Sequence, residues 1–256
     1  MFGAESTKPR GPEGQRAYVV GDVHGRLDLL DALLEHIHRD IADRPERKTI
    51  VVFVGDLIDR GPSSAQVVER LRTYRHAGVR PVFLLGNHEE VLLRILGGET
   101  DLITKWRWFG GTQCLESYGV DTSELKAVDA ATALQRIRAA IPAAHVEFLR
   151  SFVDTCRFGD YVFVHAGIRP GISLDRQRQS DLRWIREPFL GDETDHGFVV
   201  VHGHTIHPQV DEQVNRIGID TGAFRSGVLT ALAIEGADRW IIDTKVTNPA
   251  AVSLAH

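Results

Sequence analysis

Histidines, carboxylates and an asparagine stand beside glycines at five places in this chain: "GDVHG" (21–25), "GDLIDRG" (55–61), "GNHE" (86–89), "VHAG" (164–167) and "HGHT" (202–205). Asp22, His24, Asp56, Asp59, Asn87, His88, His165 and His204 offer carboxylate, imidazole and amide oxygen, which hard and borderline divalent metals accept as ligands. One carboxylate able to bridge, with donors on either side, makes a two-metal site. Such sites hold their ions about 3.5–4 Å apart and stabilise in-line displacement at phosphorus. Arg60 stands among these residues and adds a cation. Each motif alone also has a structural reading, as an Asx turn, a surface ion pair or a helix start. Their joint occurrence, each after an apolar run, favours the chemical reading.

The elements that must position these residues are legible around them. "AYVV", "TIVVFV" and "RPVFLL" are short Val- and Phe-rich runs ending in glycine, and read as buried strands. Between them lie amphipathic helices. Leu30, Leu33, Leu34, Ile37 and Ile41 form one stripe, and "SSAQVVERLRTYRHAG" opens on serine caps and stops at Gly78. The alternation predicts an α/β fold with a largely parallel sheet, whose strand ends gather a ligand site. From about residue 97 to 152 helix formers dominate, which predicts a helical insertion with Trp106, Trp108 and Phe109 as its core rather than as a lid. "DYVFVHAG", "GFVVVHGHT" and "NRIGIDTG" then return to strand. They point to a second, more antiparallel sheet, and "GVLTALAIEG" with "RWIIDTKV" reads as a hairpin. Residues 1–16 read as a flexible lead-in, 17–246 as one domain and 247–256 as a tail.

The bulk numbers exclude several classes. The chain has 256 residues, 43% of them hydrophobic, and a formal net charge of -5. That balance argues against nucleic acid or an anionic membrane as partner. No run approaches the roughly 20 apolar residues that span a bilayer, and the N-terminus lacks an apolar signal segment. Cys114 and Cys156 lie outside any CxxC and read as reduced thiols, so the cytoplasm is the expected location. Nothing here fixes the oligomeric state.

The order of the five motifs resembles the calcineurin-like metallophosphoesterases, and more narrowly the phosphoprotein phosphatase group with its bacterial serine/threonine phosphatases. The resemblance runs from about Tyr18 to Gly236. It implies a mixed β-sandwich flanked by helices and two divalent metal ions, Mn²⁺ first, with Fe, Zn or Co as alternatives. Carried over, Asp22, His24 and Asp56 hold one ion, and Asp56, Asn87, His165 and His204 the other, with a metal-activated hydroxide attacking phosphorus. His88 protonates the leaving group, Asp59 orients His88, and Arg60 clamps phosphate. Asn87 also faces the substrate. Arg186 is expected as a second phosphate-binding arginine, with Arg183 as the alternative, and His202 as structural support. The expected activity is a phosphomonoesterase acting on a phosphorylated protein or small phosphoester, most simply a protein serine/threonine phosphatase. One alternative is a diadenosine-tetraphosphate hydrolase of the same fold. Those relatives usually read ARG where this chain has Asp59-Arg60-Gly61, and GHW where it has Gly203-His204-Thr205. A catalytically dead binding module is a second alternative, against which every expected ligand position is filled.

Overall fold

The computed structural model describes residues 8–245. Ten strands and nine α-helices are described, with short 3-10 turns and one π-type turn between them. In chain order they run β1 Gln15–Val20, α1 Leu27–Ala42, β2 Lys48–Phe53, α2 Ser64–Arg72, β3 Val79–Phe83, α3 Asn87–Gly97, α4 Leu102–Trp106 and α5 Thr112–Ser117. They continue as α6 Ala130–Ala140, α7 Ala143–Arg150, β4 Thr155–Phe158, β5 Tyr161–Val164, α8 Gln179–Trp184, β6 Val199–His202, β7 Asp211–Glu212, β8 Arg216–Gly218, α9 Ala223–Ser226, β9 Thr230–Glu235 and β10 Asp238–Asp243.

Two five-stranded mixed sheets face each other, in the orders β10-β9-β1-β2-β3 and β4-β5-β6-β8-β7. Alternation along β1 shows how the layers form. Ala17 and Val19 point between the sheets, where they meet Phe163, Val201 and Ile217. Tyr18 and Val20 point outward, under Leu30, Leu33 and Ile37 of α1. With both faces covered, the strands read as continuous apolar runs rather than alternating ones. Behind the second sheet, Val162, Val164 and Val200 pack against Leu182, Ile185 and Phe189. No helix among the described residues is long and apolar enough to cross a membrane.

The α/β sandwich and the helical insertion agree with the sequence reading, and the differences have local causes. The second sheet is parallel at its centre (β5–β6 and β6–β8) and antiparallel only at its edges. The final hairpin belongs to the first sheet, where β9 pairs antiparallel with β1. Helix α2 ends at Arg72, short of Gly78, and Ser63 makes no side-chain cap. The serine hydroxyl beside it, on Ser64, instead accepts the amide N–H of Asp59. Residues 9–14, expected within a flexible lead-in, are tied down. The backbone of Arg10 bonds both the Asp160 side chain and the Asp160 amide, and Gly11 donates to Gly236. The expected tail, 247–256, lies outside the described residues.

Candidate active site

Strands β1, β2 and β3 run parallel, as do β5, β6 and β8, so their carboxyl ends open on one edge of the sandwich. The residues that follow them converge there, although they are up to 182 positions apart in sequence. The backbone turns sharply as it leaves each strand. Among the described residues the non-glycine positions with left-handed φ are His24 (45°), Asp56 (50°), Asp59 (72°), Arg60 (66°) and His204 (63°), and all five are site residues. Such conformations cost about 1–3 kcal/mol each and persist only where packing over-determines them. The same turn corrects a simple expectation. His24 shares a side with Asp22 because the chain turns at His24, not because it stays extended. Gly25 follows with φ 63°, and a Cβ there would lie 2.7 Å from the Gly61 carbonyl oxygen.

Two rings have their tautomers set by the backbone. His24 Nδ1 lies 2.8 Å from the Ile58 carbonyl oxygen, and His165 Nδ1 2.8 Å from that of Val54. A carbonyl only accepts, so Nδ1 carries the proton and Nε2 presents a lone pair in the neutral ring. His24 Nε2 then faces Asp56 at 3.6 Å and Asp22 at 4.0 Å. His165 Nε2 faces Asn87 Oδ1 at 2.9 Å and Asp56 Oδ1 at 3.4 Å. Asn87 Oδ1 also lies 2.8 Å from His204 Nδ1. Two acceptors 2.9 Å apart, as at His165 and Asn87, require a proton or a cation between them.

The charges lead to the same need. Burial, then the charges of Asp220 and Asp56, push Asp22 well above the usual carboxylate range. Burial would raise Asp56 too, but the imidazoles of His165 and His88 overcome it and hold it well below. Burial and the neighbouring His165 lower His204 to about 3, which keeps it neutral, and its Nε2 is buried without a partner. Crowded carboxylates, imidazoles and an amide oxygen fit divalent cations. His24, Asp56 and His88 bring donor atoms within 4.8 Å of one another, as do Asp56, His165 and His204, with Asp56 common to both sets. Distance alone would thus admit His88 beside Asp22 on the first side. The contacts of its ring set it apart.

His88 Nδ1 lies 2.6 Å from Asp59 Oδ2, and Arg60 Nη2 lies 3.2 Å from His88 Nε2. Burial pulls the imidazolium down, but the charges of Asp56 and Asp59 outweigh it and raise its pKa. Trp106 of α4 donates its indole N–H to the same Asp59 oxygen at 2.8 Å. The insertion thus reaches under the site. Of Trp106, Trp108 and Phe109, only Trp106, 2% exposed, joins the core; Trp108 and Phe109 are 86% and 56% exposed, against the expectation that all three are core. Phe109, Trp106 and Lys105 wall a cleft of about 350 Å³ with Arg60, Asn87, His88, Arg186 and His204. Arg186 therefore lies at the cleft. Arg183 is held away by Asp154 at 2.7 Å and Glu90 at 3.4 Å. His202 is fully buried against Phe189, as expected of structural support.

Two residues escaped sequence reasoning. Glu89, fully buried, accepts the amides of Asp56 (2.8 Å), Leu57 (2.8 Å), Ile58 (3.2 Å) and Gly86 (3.2 Å), and so braces two of the five loops. Burial and the charge of Asp56 raise it to about 7. Its sequence signal was the helix-start pattern of "GNHE". Asp220 follows β8, buried beside Asp22, and its signal was the strand-then-glycine pattern of "NRIGIDTG".

A sandwich with this constellation at the strand ends defines a metallophosphoesterase hydrolase. The chain belongs to the calcineurin-like phosphoesterases, whose family profile matches residues 16–232. It is 28% identical over 240 residues to the asymmetrical bis(5'-nucleosyl)-tetraphosphatase PrpE of Anoxybacillus flavithermus, covering 84% of this chain and 88% of that one. It is 33% identical over 184 residues to the symmetrical bis(5'-nucleosyl)-tetraphosphatase of Legionella pneumophila, covering 71% of this chain and 54% of that one. A crystal structure described as a candidate diadenosine tetraphosphatase shares the fold with a TM-score of 0.63 at 22% identity, over 91% of this chain and 95% of that one.

Proposed function

We propose that this chain is a metal-dependent hydrolase of dinucleoside tetraphosphates, cleaving a phosphoanhydride bond. One observation carries the reading: three cations without a carboxylate partner among the described residues, Arg60, Lys105 and Arg186, line one cleft that begins at His88 and His204. A tetraphosphate bridge carries several negative charges in a row and matches such a cleft, whereas a single phosphoserine brings one phosphate. The names of the two tetraphosphatase relatives support it.

This departs from the protein phosphatase expected from the motifs, for a physical reason. Asp59 touches His88 and Trp106, and so serves chemistry common to every phosphoester. Thr205 is absent from the cleft lining, and its hydroxyl is buried. Neither position meets the part of a substrate that distinguishes a nucleotide from a peptide.

In this reading Asp22, His24 and Asp56 hold one divalent ion and Asp56, Asn87, His165 and His204 the other, with Mn²⁺ as the first choice. Such ions would lower the pKa of water and neutralise charge developing on phosphate oxygens. Arg60 and Arg186 orient the phosphates, Arg60 with a planar fork held against the ring of Phe224 at 4.7 Å. His88 gives the proton of its outward Nε2 to the departing phosphate, while Asp59 accepts from Nδ1–H and so orients the ring and raises its basicity. The free thiols Cys114 and Cys156 fit the cytoplasmic placement carried forward with this proposal.

The test is kcat/KM with Mn²⁺ on diadenosine tetraphosphate beside phosphoserine and phosphothreonine peptides. The dinucleotide is expected to be preferred. Faster turnover of the peptides would return the chain to the protein phosphatases. Products also report the cleavage position: two ADP for the central bond, ATP with AMP for an outer one.

A further inference from the structure

Exposed large aromatics are unusual enough to need a reason when they line a cavity. Phe109 and Trp184 do so at the same cleft, from two separate parts of the chain, the turn after α4 and the end of α8. Each comes from a segment that also positions an arginine of the cleft. Trp184 stands two residues before Arg186, with the buried Ile185 between them, and its indole N–H donates to Glu90 at 3.1 Å. Phe109 precedes Gly110, whose carbonyl accepts the amide of Arg60 at 3.0 Å. Gly110 has φ 111°, and a Cβ there would lie 2.5 Å from the Arg60 nitrogen, so Phe109 and Arg60 are locked in one geometry. Both walls thus place an aromatic ring and an arginine in the lining of the same cleft.

We propose that Phe109 and Trp184 form a base subsite, where the nucleobase of a nucleoside polyphosphate stacks while Arg60, Arg186 and Lys105 take its phosphates. This rests on the tetraphosphatase reading and deepens it. Charge complementarity selects the occupant. A purely apolar ligand would leave three cations unused, and inorganic polyphosphate would leave two aromatic faces in water. A nucleotide satisfies both at a spacing set by its own ribose. Stacking is tolerant of base identity, because every base has a π face. The subsite is therefore expected to accept any nucleobase, with purines favoured by their larger area. Because the walls fix where the base sits relative to Asp56 and His88, they also set which phosphorus is presented for attack.

The experiment compares kcat/KM for diadenosine tetraphosphate with kcat/KM for inorganic tetraphosphate, which has the same anhydride and no base. The wild-type protein, Phe109→Ala and Trp184→Ala are used, each with Mn²⁺. Quenching of tryptophan fluorescence by ADP is followed in the wild-type protein and in Phe109→Ala. The ratio of the two kcat/KM values is expected to fall about 10-fold in each variant, the usual worth of one stacked base. ADP is expected to quench the wild-type protein, and to bind Phe109→Ala correspondingly more weakly. Turnover of the dinucleotide with an unchanged ratio in both variants overturns the base subsite and leaves the tetraphosphatase reading standing. Absence of both dinucleotide turnover and ADP quenching in the wild-type protein overturns the two together. An equal loss on a phosphotyrosine peptide overturns the assignment to a nucleobase, since the rings would then serve any aromatic group.

Discussion

The loops at the strand ends and the helical insertion meet at one cleft but are built on opposite terms. The loops are buried and strained. Asp22, His24, Asp56, Asp59 and His165 are all nearly inaccessible, and every left-handed non-glycine residue among the described ones lies there. The insertion is built of helices, broken by a π-type turn at Arg107–Gly111, and presents Trp108 and Phe109 to solvent. Strain fixes donor atoms to within a fraction of an ångström, which metal-assisted chemistry needs. An exposed wall fixes little by itself, but it can be changed without disturbing that chemistry. In the proposed reading, reaction and selectivity sit on different sides of the cleft. Trp106 of the insertion crosses between them, through its bond to Asp59.

Removing the metals should break the strained side alone and produce the largest effect. Exhaustive chelation is expected to reduce phosphate release from every substrate to background, with recovery on adding Mn²⁺ and the fold retained by circular dichroism. Full turnover in chelator would remove the metals from the account.

Next in size is His88→Asn. Turnover should fall by roughly 10²–10⁴ on a substrate with a basic leaving group, the usual worth of a general acid. The loss should shrink for para-nitrophenyl phosphate, whose leaving group needs less protonation. Metal content should stay near normal, which separates His88 from the ligands that share its surroundings. Equal losses on both substrates would take the acid role from it.

Trp106→Phe tests the crossing point. It keeps an aromatic ring and removes one N–H bond to a buried carboxylate, worth about a 10-fold loss of kcat if that bond orients Asp59. KM for diadenosine tetraphosphate should change little, and Tm should show the core intact. Loss of Tm with full kcat in the folded protein would make Trp106 packing only.

The smallest effect concerns how the insertion is held. Glu69 of α2 lies 3.0 Å from His145 of α7, and hydrogen bonds from Arg72 and then His145 lower its pKa to about 2. A depressed carboxylate contributes stability above its unfolded value of about 4.5, and loses it as the pH falls toward 2. Glu69 is exposed, which screens the pair although His145 is buried, so Glu69→Gln should lower Tm by a few degrees at most at pH 7. That difference should vanish by about pH 2. A constant difference across that range would mean the pair is not what titrates.

The part of this comparison that was legible in the sequence is the strained side. Asp22, His24, Asp56, Asn87, His88, His165 and His204 betray themselves because reactive residue types sit among glycines after apolar runs. The insertion hid its contribution. An aromatic run on a helix reads as core, and only three dimensions reveal that Trp106 faces Asp59 while Phe109 faces the cleft. Arg186 and Arg183 were separable only by their surroundings, since Asp154 and Glu90 capture the second. Glu89 looked like a helix-start residue because its partners are backbone amides, which leave no mark in sequence. Sheet membership of the final hairpin was equally silent, since β9 can pair with any free edge and only packing selects β1.

The central claim is that Asp56 is shared between two metals on the strained side. It is tested most directly by counting ions per chain in the wild-type protein and in Asp56→Asn, with hydrolysis of diadenosine tetraphosphate measured on the same preparations. Two tightly held ions are expected in the first. In the variant, weakened binding at both positions is expected together with near-complete loss of turnover. An Asp56→Asn protein that keeps two tight ions and wild-type turnover would contradict the account.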